Sequence, residues 1–335
     1  MDKVVQLDRK TQFRAFIWLY MKDYLDNLEA DGNFPGFHRE WMESIDFRRL
    51  AIAAPRSFAK STFFSIFYPL FCALEGYCKD ILLISASSTL AEWWLSKIMR
   101  EMESNLDLLE AFGDQRGTRR DIWRQNHIEL RNGCVIRARG AECQIRGMRP
   151  DLILVDDLES EETVWSEATR LKLADWFWKA LINVLNPEAQ IIMIGTLLHP
   201  ESLLNNILKA PPSGWLTKVY RALENGESIW PSKWTKEDLE QRRLEIGTAA
   251  FEQEYQNNPI PDEWRTFREP FRYFDKEPPL CAYFTTIDPA ISVEIKGDPD
   301  YTAIVTCAVD ADKNIYVVEV TRKRMLPNET LEEIL

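Results

Sequence analysis

Four short apolar runs punctuate this chain, at 50–53, 81–87, 152–155 and 190–194, each bounded by polar residues. Runs of this length, flanked by turn-forming residues, read as strands buried on both faces. Between them, apolar positions recur at helical spacing over 63–74, 89–104 and 161–185. Strand alternating with helix predicts an α/β fold, with a mainly parallel sheet lying between helices. Residues 127–131 and 134–138 flank Asn132-Gly133, the turn dipeptide of tight hairpins, so an antiparallel pair is expected there. Upstream, 10–30 has helical periodicity rich in aromatics, and a short helix precedes the first strand.

The texture changes after Lys209. Ala210-Pro-Pro-Ser-Gly214 breaks the pattern, a strand is expected within 215–223, and 236–255 reads as helix. Asn257-Asn-Pro-Ile-Pro261 breaks it again, and Pro278-Pro279 precedes three strand-like runs at 283–287, 302–309 and 315–320. The short turn 310–314 makes the last two a hairpin. These breaks divide the chain into regions 1–212, 213–275 and 276–335.

Composition narrows the chemistry. At 335 residues, 45% hydrophobic and 28% charged, the chain has material for a sizeable core. No apolar run is long enough to span a bilayer, and the charged N-terminus lacks a signal-peptide core, so no membrane association is expected. Six scattered cysteines without a C-x-x-C pair, and only three His, argue for reduced thiols and against a zinc site. A net charge of −12 disfavours nucleic-acid binding through bulk charge. Locally the balance reverses: from Arg116 to Arg149 there are nine Arg against three acids. Guanidinium pairs phosphate through two parallel hydrogen bonds, so this stretch suits phosphate contacts, or forms a solvated basic face.

The candidate chemistry lies at strand ends. Ala54-Pro55-Arg56-Ser57-Phe58-Ala59-Lys60-Ser61-Thr62 joins the first apolar strand to the first helix. In a phosphate-binding loop, backbone amides and a helix N-terminus hold the triphosphate, Lys reaches the outer phosphates and Ser/Thr ligates Mg²⁺. Ala54 and Ala59 replace the usual glycines, so the loop either keeps to ordinary backbone regions or carries strain. Asp156-Asp157 ends the strand at 152–155, where open α/β sheets bind ligands. Asp156 is the candidate Mg²⁺ ligand with Ser61, and Asp157 the candidate base for the attacking water, with Glu159 in reserve. Gly195-Thr196 ends the next strand and is placed to sense the γ-phosphate. Two arginines could stabilise charge on that phosphoryl group: Arg56 inside the loop, and Arg146 offered to a neighbouring subunit.

With these residues in view, the chain resembles the large terminase subunit of tailed bacteriophages, the ATP-driven DNA-packaging motor. Three stretches carry the resemblance: the loop at 54–62 with its internal Arg; Gln144-Ile-Arg-Gly-Met-Arg-Pro-Asp-Leu-Ile-Leu-Val-Asp-Asp-Leu-Glu159; and Ile229-Trp-Pro231 followed by Phe251-Glu-Gln-Glu-Tyr-Gln-Asn-Asn-Pro259. The resemblance implies a P-loop NTPase of the additional-strand (ASCE) type over 1–212, a linker subdomain over 213–275, and the start of an RNase H-like nuclease over 276–335. It further implies ATP and Mg²⁺ at the loop, with Mg²⁺ or Mn²⁺ held by Asp288 and Asp300 in the nuclease. The implied partners are double-stranded DNA, the portal protein, the small terminase subunit and other copies of the chain in a ring, in the host cytoplasm. The segment Phe34-Pro-Gly-Phe-His-Arg-Glu40 sits where the family recognises adenine, with His38 and Glu40 near the place of its common Gln. Glu319 is the only acid inside the third nuclease strand, so DNA cleavage is not expected of this chain. Two other readings compete. One is a helicase-like ATPase, for which the chain after 210 is too short. The other is a capsid-docking module with a degenerate ATP site.

Overall fold

The computed structural model describes residues 7–25, 28–29, 32–116, 122–259, 274, 281–289, 301–323 and 329–331. Contacts divide the chain into two units, Met1–Phe267 and Arg268–Leu335. In the first, the predicted strands are β1 (Arg49–Ala53), β2 (Asp80–Ser85), β6 (Leu152–Asp156) and β7 (Gln190–Gly195). The hairpin region supplies β3 (Trp123–Arg124), β4 (His127–Glu129) and β5 (Val135–Gly140), and β8 (Leu216–Val219) follows. They form one sheet in the order β3-β4-β5-β2-β6-β7-β1-β8. The six strands from β5 to β8 pair in parallel, while β4 pairs antiparallel with β5 about the Asn132-Gly133 turn and with β3 on its other side. The pattern-based boundary at 212/213 lies inside this unit, because β8 extends the sheet beside β1.

The continuous apolar runs reflect helices on both faces. Leu50, Ile52, Leu152, Leu154, Ile192 and Ile194 pack into one core; Ala51, Ala53, Ile153, Val155, Ile191 and Met193 pack into the other. The first core is rich in aromatic rings. It is covered by α1 (Arg9–Tyr20), α2 (Gly36–Ser44), α3 (Tyr68–Leu74), α4 (Ser88–Ser104) and α5 (Leu106–Phe112). Phe13 meets Phe63, Tyr68 and Phe71 with ring centroids 5.1–5.3 Å apart.

Three helical expectations need correction. The helix read over 161–185 is broken into α6 (Glu161–Val164) and α7 (Glu167–Trp176), because Ser166 caps α7 by accepting from the Thr169 amide. A wider π-helical turn and a short 3₁₀ turn then end it. The helix read over 236–255 is two, α9 (Lys236–Ile246) and α10 (Thr248–Glu254), after α8 (Leu203–Lys209). Gly247 at φ 83° turns the chain between them. The helix read over 10–30 ends at Tyr20.

The second unit contains β11 (Ala282–Asp288), β12 (Thr302–Val309) and β13 (Ile315–Lys323), after the short pair β9 (Leu223–Glu224) and β10 (Glu227–Ser228) of the first. These three form an antiparallel meander in that order, with a register shift between Thr306 and Cys307. Among the described residues, no helix is long and apolar enough to cross a membrane.

Candidate functional site

The loop after β1 carries two strained residues. Ala54 donates its amide to the Gly195 carbonyl, and Phe58 donates to Pro55. Ser57 (φ 65°) and Ala59 (φ 66°) both lie in the left-handed region. The strain alternative is therefore the correct one for this loop. A left-handed non-glycine residue costs about 1–2 kcal/mol. The Phe58 ring is the anchor that holds the loop in this shape. It is fully buried against Phe37 and Trp230, with centroids 5.9 and 5.8 Å away. The helix then starts at Lys60 and runs through a π-helical stretch, Thr62–Phe67, a form that clusters at functional sites.

Lys60, Ser61, Asp156, Asp157 and Thr196 meet where β1, β6 and β7 end. Lys60 is only 7% exposed; its Nζ donates to Thr196 Oγ1 (3.0 Å) and lies 3.8 Å from Asp157 Oδ2. Ser61 donates to Asp156 Oδ1 (3.0 Å) and Ser65 to Oδ2 (2.7 Å). Burial, with the Asp157 carboxylate beside it, pushes the Asp156 carboxyl well above the usual range, against the pull of Lys60 and the two hydroxyls. Ser65 was missed in the sequence, although it stands one helical turn from Ser61 and so shares its face. Asp157 bends away from the strand at φ 44°, and its Oδ1 accepts the Thr196 amide (3.2 Å). A Cβ at Gly195 would lie 3.0 Å from Leu204 and 3.4 Å from Asp157 Oδ1, so glycine keeps this corner open.

The other candidates separate from this cluster. Glu159 caps α8, its carboxylate accepting the Leu203 and Leu204 amides (2.9 and 3.4 Å). Burial raises its pKa. Arg56 is exposed and pairs with Glu254 (3.2 Å). Arg146 stands exposed on the loop between β5 and β6, with no ion pair or side-chain hydrogen bond among the described residues. In the second unit Asp288 is exposed at the end of β11, opposite Ala303. Asp300 lies outside the described residues. Glu319 pairs across from Thr306, which opposes Thr285, so it shares a face with Thr285 and not with Asp288.

Beside the loop lies a cavity of about 130 Å³ whose walls include Phe34, His38, Ala59, Thr62, Phe63, Trp230 and Lys233. The His38 ring is buried and its Nε2 lies 3.1 Å from the Phe58 carbonyl, so that nitrogen carries the proton and donates. Burial holds its pKa down at about 3, with Lys233 adding to the depression, so the ring is neutral. Lys233 Nζ sits 4.6 Å from the centre of the Trp230 ring, and burial lowers its pKa. Glu40 is turned elsewhere, accepting from Lys218 and Tyr220.

The donor set at Ser61, Ser65 and Asp156 is all hard oxygen, two hydroxyls and a carboxylate, which fits Mg²⁺ and not a thiophilic metal. No protein-family model matches the chain, and no curated protein does. Solved structures do. The ATPase domain of the large terminase of a Thermus phage, in a mutant form, is 16% identical; the match covers 64% of this chain and 90% of that one, with a TM-score of 0.45. The large terminase of another thermophilic bacteriophage, in complex with ADP, is 12% identical, covering 87% and 68%, with a TM-score of 0.46. The complex of that second terminase with ATP-γ-S is 11% identical over the same shares, with a TM-score of 0.44. All of these structures are large terminases of thermophilic phages.

Proposed function

We propose that this chain is an ATP-hydrolysing motor of the large-terminase kind, which drives double-stranded DNA into a procapsid. The ATPase reading is carried by the convergence of Lys60, Ser61, Asp156, Asp157 and Thr196 at three adjacent strand ends. Lys60 leaves Thr196 to take the outer phosphates, and the loop amides take the rest. Ser61, Ser65 and Asp156 would hold Mg²⁺, which neutralises phosphate charge when bound. Asp157, turned out of the strand, takes a proton from the water that attacks the γ-phosphorus as ADP leaves. The aromatic cavity at His38 and Trp230 takes the adenine ring. Lys60→Ala should abolish turnover. Asp157→Asn should bind ATP yet lose about 10²–10⁴-fold in rate. Turnover that survives Lys60→Ala sinks the site; turnover lost in Glu159→Gln but kept in Asp157→Asn moves the base to Glu159.

DNA as partner is supported by the antiparallel edge of the sheet. Arg124 opposes His127, which opposes Arg137, and Arg139 follows on the same face. Burial and the positive charge of Arg137, Arg139 and Arg124 lower the His127 pKa, and a bound polyanion would relieve that crowding of positive charge. Arg146 is the candidate finger given to a neighbouring copy in a ring on the portal. Arg146→Ala mixed with Lys60→Ala protein should then recover turnover that neither has alone. The small terminase subunit as a second partner, the host cytoplasm as the place of action, and a nuclease begun by Asp288 with Mg²⁺ or Mn²⁺ complete the reading. Plasmid cleavage by this chain that disappears in Asp288→Ala would show that the nuclease acids are already sufficient.

A further inference from the structure

The stretch Phe251-Glu-Gln-Glu-Tyr-Gln-Asn-Asn258 has no part in the chemistry above, yet it is bonded to both loops around the phosphate position. Glu254 accepts the Arg56 amide on its carbonyl (2.8 Å) and the Arg56 guanidinium on its carboxylate (3.2 Å). Three residues on, Asn257 is buried at φ 48°, a conformation that Asn adopts more readily than other residues with a side chain. Its Oδ1 accepts the amide of Leu197, the residue after Thr196 (3.1 Å). Its Nδ2 donates to the Tyr220 carbonyl, just past β8 (2.7 Å). Between these two, Tyr255 accepts the Ala222 amide (2.8 Å), and the Gln256 amide group exchanges two bonds with the Leu223 backbone (3.0 and 3.2 Å). The base is stiff, since the buried Phe251 ring stacks on Tyr255 with centroids 5.1 Å apart.

Four consecutive residues therefore tie together the phosphate loop, the strand end that carries Thr196, and the segment 220–223. A buried amide bonded at both ends has no slack. If Leu197 moves, either Tyr220 follows or a buried bond breaks, which is costly. We infer that residues 254–257 are a relay that transmits occupancy of the phosphate site to the segment after β8, with Asn257 and Glu254 as positioning residues. The relay rests on the ATP-site reading. Lys60 and Asp157 both contact Thr196, so phosphate that draws Lys60 away alters what holds Thr196. The adjoining Leu197 amide passes the change to Asn257, and Asn257 to Tyr220. Glu254 reports the loop at Arg56 to the same stretch.

Hydrogen exchange with and without ATP-γ-S, beside steady-state ATPase kinetics, tests this. In the wild-type chain the nucleotide should slow exchange at 56–62 and change it at 220–223. Asn257→Gly keeps the positive φ accessible and removes both side-chain bonds. It should retain the protection at 56–62, lose the response at 220–223, and drop kcat about tenfold with KM nearly constant. Asn257→Asp keeps the acceptor for Leu197 and gives up the donor to Tyr220. It should lose the response at 220–223 while keeping more turnover than Asn257→Gly, and it serves if the glycine variant fails to fold. An equal response at 220–223 in the wild type and Asn257→Asp overturns the relay. So does a wild-type chain protected at 56–62 with no change at 220–223. No protection at 56–62 in the wild type brings down the ATP site itself, and the relay with it.

Discussion

His38 shows how one residue ties the phosphate loop to the aromatic core. Its neutral ring donates to Phe58, whose own ring pins the loop. The ordinary histidine pKa is 6.5, and burial holds this one at about 3. The folded state thus refuses a proton that the unfolded chain accepts. Its contribution is complete above pH 6.5 and is lost as pH falls toward 3. The full slope is about 1.4 kcal/mol per pH unit, so about 2 kcal/mol disappears between pH 6.5 and 5. His38→Gln, which can still donate but cannot titrate, should lose less stability over that interval in urea titrations. Equal losses in both proteins would mean that His38 is not buried neutral. At this scale the meeting of Lys60, Ser61, Asp156 and Asp157 at the strand ends was legible, because a loop entering a helix and an acidic strand end can both be read from the residue pattern. The left-handed Ala59 was not, because its φ is set by where Phe58 is buried, a contact with residues far along the chain.

At the scale of elements, Glu159 is the instructive case. In sequence it is one more acid after Asp156 and Asp157; in the fold it closes the N-terminus of α8. Removing a carboxylate that satisfies two helix-start amides should cost about 1–2 kcal/mol. Glu159→Ala should therefore lower the urea midpoint while ATP turnover stays near wild type. Lost turnover at unchanged stability would return Glu159 to the chemistry. Strand periodicity was readable because each central strand sits between two cores, which makes its apolar run continuous. Helix ends were less so. Ser166 starts α7 through one cap and Gly247 turns the chain after α9 through one backbone angle, and neither break is marked by more than a single residue. The place of β8 was hidden because a four-residue edge strand is fixed by pairing with β1, not by its own composition.

For the molecule as a whole, a charge of −12 and a basic sheet edge together restrict how a polyanion can approach. Among the described residues of that face, Arg124 and Arg139 lie outside the Arg137–Asp80 pair (2.7 Å). The double change to Ala should weaken DNA binding uniformly across sequences and reduce the salt slope by about 2. An unchanged slope would place the contact elsewhere. The aromatic cavity has a consequence of a different kind. Trp230 is one of twelve tryptophans, and its indole forms part of the wall against which a base would lie. Its emission depends on the Lys233 ammonium over one side of the ring and the His38 edge near it (centroids 4.9 Å apart). If a purine seats there, as proposed, it would alter that surrounding and make Trp230 an optical reporter of nucleotide arrival. The difference in fluorescence between the wild type and Trp230→Phe, followed as ATP is added, isolates that single ring from the other eleven. A signal that persists unchanged in Trp230→Phe would put the base outside this cavity.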